Sequence, residues 1–314
     1  MTIKKPTASN NFLLSICVPT YNREALLKKM FDSIGFSYID NIEIVLVDDG
    51  SEDSTKELCK EYKNKYNLKY IYQENLGRSH ALKLSILNAS GSYVVIMDSD
   101  DLFIKNGIST IVQSLLESSN YISERNIAGM VFLCCDENYD VLGKSFKSEK
   151  ATGNMMRDLA DFDIYGDKKE VIKLDILKKF MYTPYESEKR MATSVLWNRI
   201  SNEFDVINVN KIVAMKIYCD DGLGKNIDYV RMLSCKSSSL FYSETLNSHG
   251  IVYSSYRYAF RMSINLIRYS IHSKSLEFIR KVNFNATNLS LLLSAIPFGL
   301  YLYLKDKYKY IARR

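Results

Sequence analysis

The sequence predicts an α/β fold in which a mostly parallel sheet carries helices on both faces. Short apolar runs alternate with helical patterns through roughly the first third of the chain. The runs are apolar at nearly every position, which is typical of strands buried on both faces. Polar residues follow the runs directly, at the edge where open sheets of this kind bind ligands. We therefore expect one sheet with a binding crevice along that edge.

Four apolar runs are predicted as strands, and the segments between them as helices. The strands are placed at residues 13–18, 42–47, 70–72 and 93–97. Asn22 is the predicted N-cap of a first helix, whose apolar residues recur at helical spacing up to Ile34. The run from Ser54 to Glu57 matches a capping box at the start of a second helix. A third helix is predicted over residues 79–87.

Composition predicts a globular protein of one large domain, or of one domain with a smaller appendage. The 314 residues are 46% hydrophobic and 25% charged. Six cysteines occur without a CxxC pair, which favours buried thiols in a reducing compartment. The first residues contain no apolar signal-peptide core, so we expect a cytoplasmic protein.

Charge separates the last part of the chain from the rest. Residues 251–314 carry eleven Lys and Arg against two acidic residues, a balance of +9, which leaves −3 for the remainder. Residues 253–269 have a basic amphipathic helical pattern, and 289–304 are sixteen uncharged, mostly apolar residues interrupted by Pro297 and Gly299. This stretch is predicted to be too short to cross a bilayer and to lie on an anionic membrane surface. A helix packed on the rest of the chain, or a homodimer contact, is the alternative.

Carboxylates gather where the predicted strands end. The second strand is followed by Asp48 and Asp49, and the fourth by Asp98, Asp100 and Asp101. Such crowding disfavours ionisation unless a cation or hydrogen-bond donors compensate it. Asp98 and Asp100, one residue apart, are predicted to hold a divalent metal, manganese or magnesium, whose shell phosphate oxygens would complete. For Asp49, Ser51 and Asp53 the alternative is a capping role at the next helix.

Four motifs at these strand ends resemble the family 2 glycosyltransferases of GT-A fold. The resemblance is close over residues 13–104 and weaker to about residue 230. The motifs are Ser15-Ile16-Cys17-Val18-Pro19-Thr20-Tyr21-Asn22-Arg23, Val47-Asp48-Asp49-Gly50-Ser51-Glu52-Asp53-Ser54-Thr55, Glu74-Asn75-Leu76-Gly77-Arg78 and Met97-Asp98-Ser99-Asp100-Asp101.

The resemblance implies a role for each matching position. Pro19 and Tyr21 would meet the base of a nucleoside-diphosphate sugar, with Arg23 nearby, and Asp49 would accept from the base edge. Arg78 would lie near the diphosphate, Asp98 and Ser99 near the ribose and sugar, and Asp100 on the metal, together with Asp98. It further implies an inverting transfer, in which a carboxylate takes the proton of the acceptor hydroxyl.

The second half of the chain resembles the acceptor segment of members that assemble bacterial surface polysaccharides. Where many of them have an acidic residue shortly before a Trp-Asn pair, this chain has Thr193. Glu188 is therefore predicted as the catalytic base, with Glu186 in reserve. A solvated surface pair with its basic neighbours is the alternative for Glu188. Asp220 and Asp221 are further candidates, although Asp-Asp-Gly is typical of a turn.

The resulting hypothesis is an inverting glycosyltransferase of O-antigen or capsule synthesis. The donor would be a nucleoside-diphosphate sugar, UDP-linked, and the acceptor a saccharide or a lipid-linked saccharide. A transferase domain would cover residues 1–250, with a nucleotide-sugar half at 11–104 and an acceptor half at 105–250, and a helical appendage would cover 251–314. The location would be the inner face of the plasma membrane, and no nucleic-acid partner is expected. A non-catalytic nucleotide-sugar-binding module and a nucleotidyltransferase are the alternatives.

Overall fold

The computed structural model describes residues 12–35, 38–161, 165–217, 227–283 and 285–311. Within these residues nine strands form one sheet. The strands are β1 (Leu14–Thr20), β2 (Ile42–Asp48), β3 (Leu68–Tyr72), β4 (Tyr93–Ile96), β5 (Leu102–Phe103), β6 (Ile127–Cys135), β7 (Lys150–Gly153), β8 (Lys168–Lys173) and β9 (Asp205–Met215).

Thirteen α-helices lie in the described residues. They are α1 (Glu24–Ile34), α2 (Thr55–Tyr62), α3 (Arg78–Leu87), α4 (Gly107–Glu117), α5 (Ser119–Glu124), α6 (Met155–Asp161), α7 (Leu174–Phe180), α8 (Ser194–Ser201), α9 (Ile227–Leu233), α10 (Cys235–Asn247), α11 (Tyr256–His272), α12 (Glu277–Arg280) and α13 (Ala286–Asp306).

The sheet is mixed, and its strand order is β3-β2-β1-β4-β8-β6-β9-β5, with β7 paired to β9. The first four strands of this order are parallel to one another. Strand β8 runs antiparallel to both of its neighbours, and β6 is parallel to β9. The predicted α/β class is confirmed, and the four predicted strands are all present. Every antiparallel pair includes a strand beyond residue 100, where no strand was predicted.

The chain divides into two compact units, and the first contains the sheet. It comprises the described residues of 1–153, 164–181 and 204–219. Alternate residues of β1, such as Ile16, pack with Leu27 and Phe31 of α1 in one apolar core. On the other face of β1, Cys17 lies against Ser85 of α3, and burial raises the pKa of its thiol to about 12. Helices therefore cover both faces of β1, as predicted, and the thiol is an inert core group.

The second unit is helical and comprises the described residues of 154–163, 182–203 and 220–314. Its core joins α10, α11, α12 and α13 through residues such as Tyr242, Leu266, Phe278 and Leu292. The predicted division at residue 250 does not coincide with these units. Segments from the middle of the chain belong to the helical unit, because they pack with residues far along the sequence.

Three local predictions differ from the structure. The N-cap of α1 is Arg23, and Asn22 instead adopts a left-handed conformation with φ 48°. The second helix begins at Thr55 after Ser54, but the Ser54 side chain makes no capping hydrogen bond. Pro297 and Gly299 do not interrupt the last helix, since α13 is continuous for 21 residues.

Candidate active site

The polar ends of β1, β2 and β4 lie side by side because these strands are parallel and adjacent. Thr20 at the end of β1 pairs with Asp48 at the end of β2. Asp98 follows β4, the neighbour of β1 on its other side. Pro19 is buried within β1, and Tyr21, the next residue after the strand, is 44% exposed. The structure thus brings the predicted base-binding residues to the predicted edge of the sheet.

Backbone and side-chain hydrogen bonds join the loop after β1 to the loop after β2. The Asn22 amide donates to Ser51 Oγ, and Asn22 Oδ1 accepts from the amide of Glu52, both at 2.8 Å. Asp53 accepts from the Thr55 amide at 3.1 Å and from the Glu24 amide at 3.0 Å. Asp53 therefore caps the first turns of α1 and α2 together, so the capping alternative describes it well.

Asp49 organises the loop between β3 and α3. Its carboxylate accepts from Gln73 Nε2 at 2.6 Å, from the Leu76 amide at 2.9 Å and from the Gly77 amide at 2.9 Å. Gly77 has φ 99°, a conformation that favours glycine, and Arg78 follows it as the first residue of α3. The buried Asp49 thereby positions the chain at Arg78. Its role at a base edge stays a prediction.

Each carboxylate of the predicted metal pair is matched with a different arginine. Arg78 donates from Nε and Nη2 to Asp98 Oδ1, at 2.8 and 2.5 Å. Arg23 donates from Nη1 to Asp100 Oδ2 at 2.5 Å. Ser99, between the two aspartates, is buried in the turn. Four predicted nucleotide-sugar residues, Arg23, Arg78, Asp98 and Ser99, are therefore adjacent in the structure.

Two lysines complete the charge pattern around Asp101, which is only 1% exposed. Lys216 Nζ lies 2.7 Å from Asp101 Oδ2 and 3.6 Å from Asp98 Oδ2. Lys169 Nζ lies 3.2 Å from Asp101 Oδ2. Lysines at such distances offset the cost of burying the aspartate. Three carboxylates are thus met by two arginines and two lysines.

The neighbours of each group determine its protonation. Burial would raise the pKa of Asp98, but Arg78 and Lys216 outweigh burial and hold this pKa well below its usual range. Burial and the charge of Asp98 raise the pKa of Asp100, although Arg23 opposes them. Burial would lower the pKa of Lys216, but Asp101 and Asp98 raise it. Asp98 is therefore ionised, whereas the neighbours of Asp100 do not fully compensate its negative charge.

Asp100 fits a divalent cation better than Asp98 does. Among the residues that the structure describes, no three His, Cys, Asp or Glu side chains gather into a metal site. Magnesium sites commonly use one or two carboxylates and let substrate phosphates complete the shell. Asp100 suits that arrangement, because a cation would offset the burial and the Asp98 charge that raise its pKa. Asp98 is already engaged by Arg78 and Lys216, and its metal role stays a prediction.

The predicted catalytic bases lie in the second unit. Glu188 is 5% exposed, and its two oxygens accept from the amides of Lys236 and Ser237 at 2.7 and 2.8 Å. These amides belong to the first turn of α10, so the carboxylate caps that helix. This contradicts the alternative of a solvated surface pair. Glu186 is exposed, and Asp220 and Asp221 lie outside the described residues.

Lys169 and Lys216 are the site residues that sequence reasoning missed. Lys216 directly follows β9, and β5 pairs antiparallel to β9 with Leu102 opposite Met215. That register brings Lys216 beside Asp101. A lysine after an apolar run was the only sequence signal, and it gains meaning only when the strand pairing is known.

A cleft of about 420 Å³ opens elsewhere on the first unit. It is lined by Tyr93, Lys173 and Lys178, at the beginning of β4. The carboxylates follow the other end of β4. Ligands of open α/β sheets bind at the carboxyl ends of strands, so the charged site at Asp98 is the better candidate.

The mixed sheet and the helices that cover it have the GT-A fold. The model of the family described as Glycosyl transferase family 2 matches residues 15–132. This part of the chain is therefore similar to the family 2 glycosyltransferases. The stretch contains all four motifs whose resemblance was noted in the sequence.

Curated relatives match the same part of the chain. It is 36% identical over 140 residues to the glycosyltransferase GlyA of Streptococcus pneumoniae, a match that covers 42% of this chain and 19% of GlyA. It is 33% identical over 115 residues to the minor teichoic acid biosynthesis protein GgaA of Bacillus subtilis, covering 34% of this chain and 26% of GgaA. The matches therefore span only a fifth to a quarter of these relatives.

Solved structures resemble most of the chain. TarS 1-349 of S. aureus in complex with UDP-GlcNAc has a TM-score of 0.58 at 19% identity, covering 92% of this chain and 81% of that one. The mannosyltransferase PcManGT of Pyrobaculum calidifontis in complex with GDP-Man and Mn2+ has a TM-score of 0.54 at 16% identity, covering 96% and 89%. At these identities the likeness establishes the fold.

Proposed function

We propose that this protein is a metal-dependent, inverting glycosyltransferase that uses a UDP-linked hexose or N-acetylhexosamine. The observation that carries the proposal is the paired arrangement of Arg78 with Asp98 and of Arg23 with Asp100 at the strand ends of a family 2 domain. These pairs are partly open to solvent, with side-chain exposures between 18% and 32%. A bound diphosphate can therefore reach both arginines without unfolding the site.

The residues of the first unit suit the parts of a nucleotide sugar. The exposed ring of Tyr21 offers a flat apolar face to a base. The Arg78 guanidinium can exchange Asp98 for phosphate oxygens, for which its planar donors are equally suited. A divalent cation at Asp100, when bound, would neutralise charge on the departing nucleoside diphosphate. The chain supports this by holding Asp98 ionised beside the site.

The proposed acceptor is a saccharide or lipid-linked saccharide of a bacterial surface polysaccharide. The match to GgaA, a teichoic acid biosynthesis protein, supports this class of product. In-line displacement would need a base for the acceptor hydroxyl. Because the oxygens of Glu188 already serve the amides of α10, Glu186 is the carboxylate of the second unit to test first.

Ligand-induced thermal stabilisation tests the donor assignment. Nucleoside diphosphates and nucleotide sugars are compared with and without manganese, on the native chain and on Asp100→Asn. We expect a metal-dependent rise in Tm with UDP-linked ligands that the variant loses. Glu61→Gln, which changes an exposed carboxylate paired with Lys65, is the matched control and should keep the rise.

Turnover separates the alternatives. Release of UDP from the donor in the presence of saccharide acceptors supports the transferase. Stabilisation without release at any acceptor would favour a nucleotide-sugar-binding module, and pyrophosphate release from a nucleoside triphosphate would favour a nucleotidyltransferase. Absence of a response to every nucleotide would refute the proposed site.

A further inference from the structure

Helix α13 carries apolar residues on the side that faces away from the protein. Its buried residues include Leu291, Leu292 and Ala295, and Leu292 packs into the core of the helical unit. Five large aliphatic residues on the other side are exposed, at a spacing of three or four residues. We call them the outer stripe, and they are Leu289, Leu293, Ile296, Leu300 and Leu304.

This stripe is unusual for a helix in contact with water. A surface helix normally buries one apolar face and presents polar residues opposite. Here Leu293 and Leu304 are 59% and 60% exposed, and Tyr301 and Tyr308 extend the apolar surface toward the end of the chain. A contiguous exposed patch of this kind marks a surface that another apolar phase covers.

The charges beside the stripe indicate what covers it. Residues 286–311 contain Lys305, Lys307 and Lys309, all exposed. Their one acidic residue, Asp306, is buried and paired with Arg268. Lysines and tyrosines at the end of an apolar helix are typical of the headgroup region of a membrane, and basic side chains there attract anionic lipids.

From this combination we propose that α13 lies in the plane of an anionic membrane surface, with the outer stripe in the lipid. By length and composition alone, Ala286–Tyr310 is long and apolar enough to cross a bilayer. The contacts of its inner side oppose crossing. A Cβ at Gly299 would lie 2.6 Å from Ile267 Cγ2, so α13 approaches α11 closely.

Helix α11 cannot accompany α13 into hydrocarbon. It carries Arg257, Arg261 and Arg268 within 17 residues. Arg268 donates to both oxygens of Asp306 at 2.6 Å, which fastens the end of α13 to α11. Separating the helices would leave the buried Asp306 without Arg268 and His272, and would leave Arg268 with only its longer contact to Asp228, at 3.6 Å. Inserting both helices would place three arginines in lipid. The helix pair therefore lies on the membrane surface with α13 facing the lipid.

Vesicle sedimentation of the full chain tests this orientation. The probes are vesicles of neutral phosphatidylcholine and vesicles that also contain anionic phosphatidylglycerol. The stripe variant combines Leu293→Asn, Leu300→Asn and Leu304→Asn. The matched control combines Leu233→Asn and Leu276→Asn, which change exposed leucines of the same unit outside α13.

We expect the native chain and the control to bind anionic vesicles, and the stripe variant to bind at least about tenfold more weakly. Binding should weaken in high salt and on neutral vesicles, because the lysines contribute. Circular dichroism and Tm should stay unchanged in the stripe variant, since its side chains are exposed.

Several results would overturn the proposal. Equal binding of the native chain and the stripe variant would remove the stripe from the contact. A lipid-free dimer that the stripe variant abolishes would make a second copy of the chain the occupant. Release by detergent but not by alkaline carbonate would indicate a spanning helix. The proposal is independent of the transferase function, because nucleotide-dependent stabilisation is measured without lipid and should be the same in the stripe variant.

Discussion

Two ion-pair clusters, one in each unit, use the same kinds of side chain in opposite ways. In the first unit the carboxylates of Asp98 and Asp100 are 32% and 22% exposed beside their arginines. In the second unit the Asp306 side chain is 4% exposed and is held by Arg268 and His272. Pairs in contact with water exchange partners at little cost, whereas a buried pair is expensive to separate. The arginines of the first cluster can therefore change partners, whereas the second cluster holds two helices together.

The largest effect should follow from breaking the buried cluster. Asp306→Asn leaves the buried Arg268 charge with only the half-exposed Asp228, at 3.6 Å, and we expect the free energy of unfolding to fall by about 3–5 kcal/mol. Urea denaturation measures this loss. Glu277→Gln, which breaks an exposed pair with Lys281, should cause no measurable change. Equal stability of Asp306→Asn and the native chain would mean that the cluster does not hold α11 and α13 together.

The same residue gives the native chain an acid response. Burial raises the pKa of Asp306, but hydrogen bonds from His272 and Arg268 outweigh it, so this pKa lies below 3.8. Because the folded-state pKa is lowered, the stabilisation is fully present at neutral pH. It is lost as the pH falls below 3.8 and through the lower folded-state pKa. Asp306→Asn should lack this part of the acid response.

A smaller effect is expected at the one fully buried carboxylate of the first cluster. Lys216→Met leaves Asp101, whose side chain is 2% exposed, with Lys169 as its ammonium partner. We expect a loss of about 2 kcal/mol in unfolding free energy, less than for Asp306 because one lysine remains. Nucleotide-dependent stabilisation should weaken as well, since Asp98 loses a charge that keeps its pKa low. Lys65→Met, at an exposed pair, is the control for both measurements.

Glu170 extends the comparison, because neighbouring positive charge does not fully offset the cost of burying its carboxylate. Burial raises its pKa from 4.5 to about 7, and the charge of Lys169 offsets this only in part. The folded state therefore holds a proton that the unfolded state releases, so stability falls as the pH rises from 4.5 to 7. We expect Glu170→Gln to gain about 1–2 kcal/mol at pH 8 and nothing near pH 4. Thermal unfolding across this pH range measures it, and an equal gain at both ends would exclude titration as the cause.

The part of the fold built from adjacent segments could be predicted from the sequence. Strands β1 to β4 alternate with helices and are parallel, so apolar runs and intervening helical spacing were sufficient to place them. The continuity of α13 could not be predicted from Pro297, because packing against α11 overrides the local penalty of proline. The same holds for Asn22, which bonds across to Ser51 and Glu52 instead of capping α1.

The residues of the site likewise divide into those that could be predicted from the sequence and those that could not. Asp98 and Asp100 were predictable because they end a strand at the binding edge of the sheet. Lys216 lies more than a hundred residues further along the chain, and only the antiparallel register of β5 and β9 places it beside Asp101. The amides that Glu188 caps likewise lie about fifty residues away, on α10. Contacts of this range leave no periodic trace in the sequence.

The hydrogen bonds that join Asn22, Ser51, Glu52 and Asp53 affect how the edge of the sheet opens. The amides of Asn22, Glu24, Glu52 and Thr55 are each bonded across or within these two loops. Neither loop can open without releasing donors in the other, so the two behave as one cooperative opening unit in hydrogen exchange. A molecule that touches only Tyr21 would therefore also slow exchange at the end of β2.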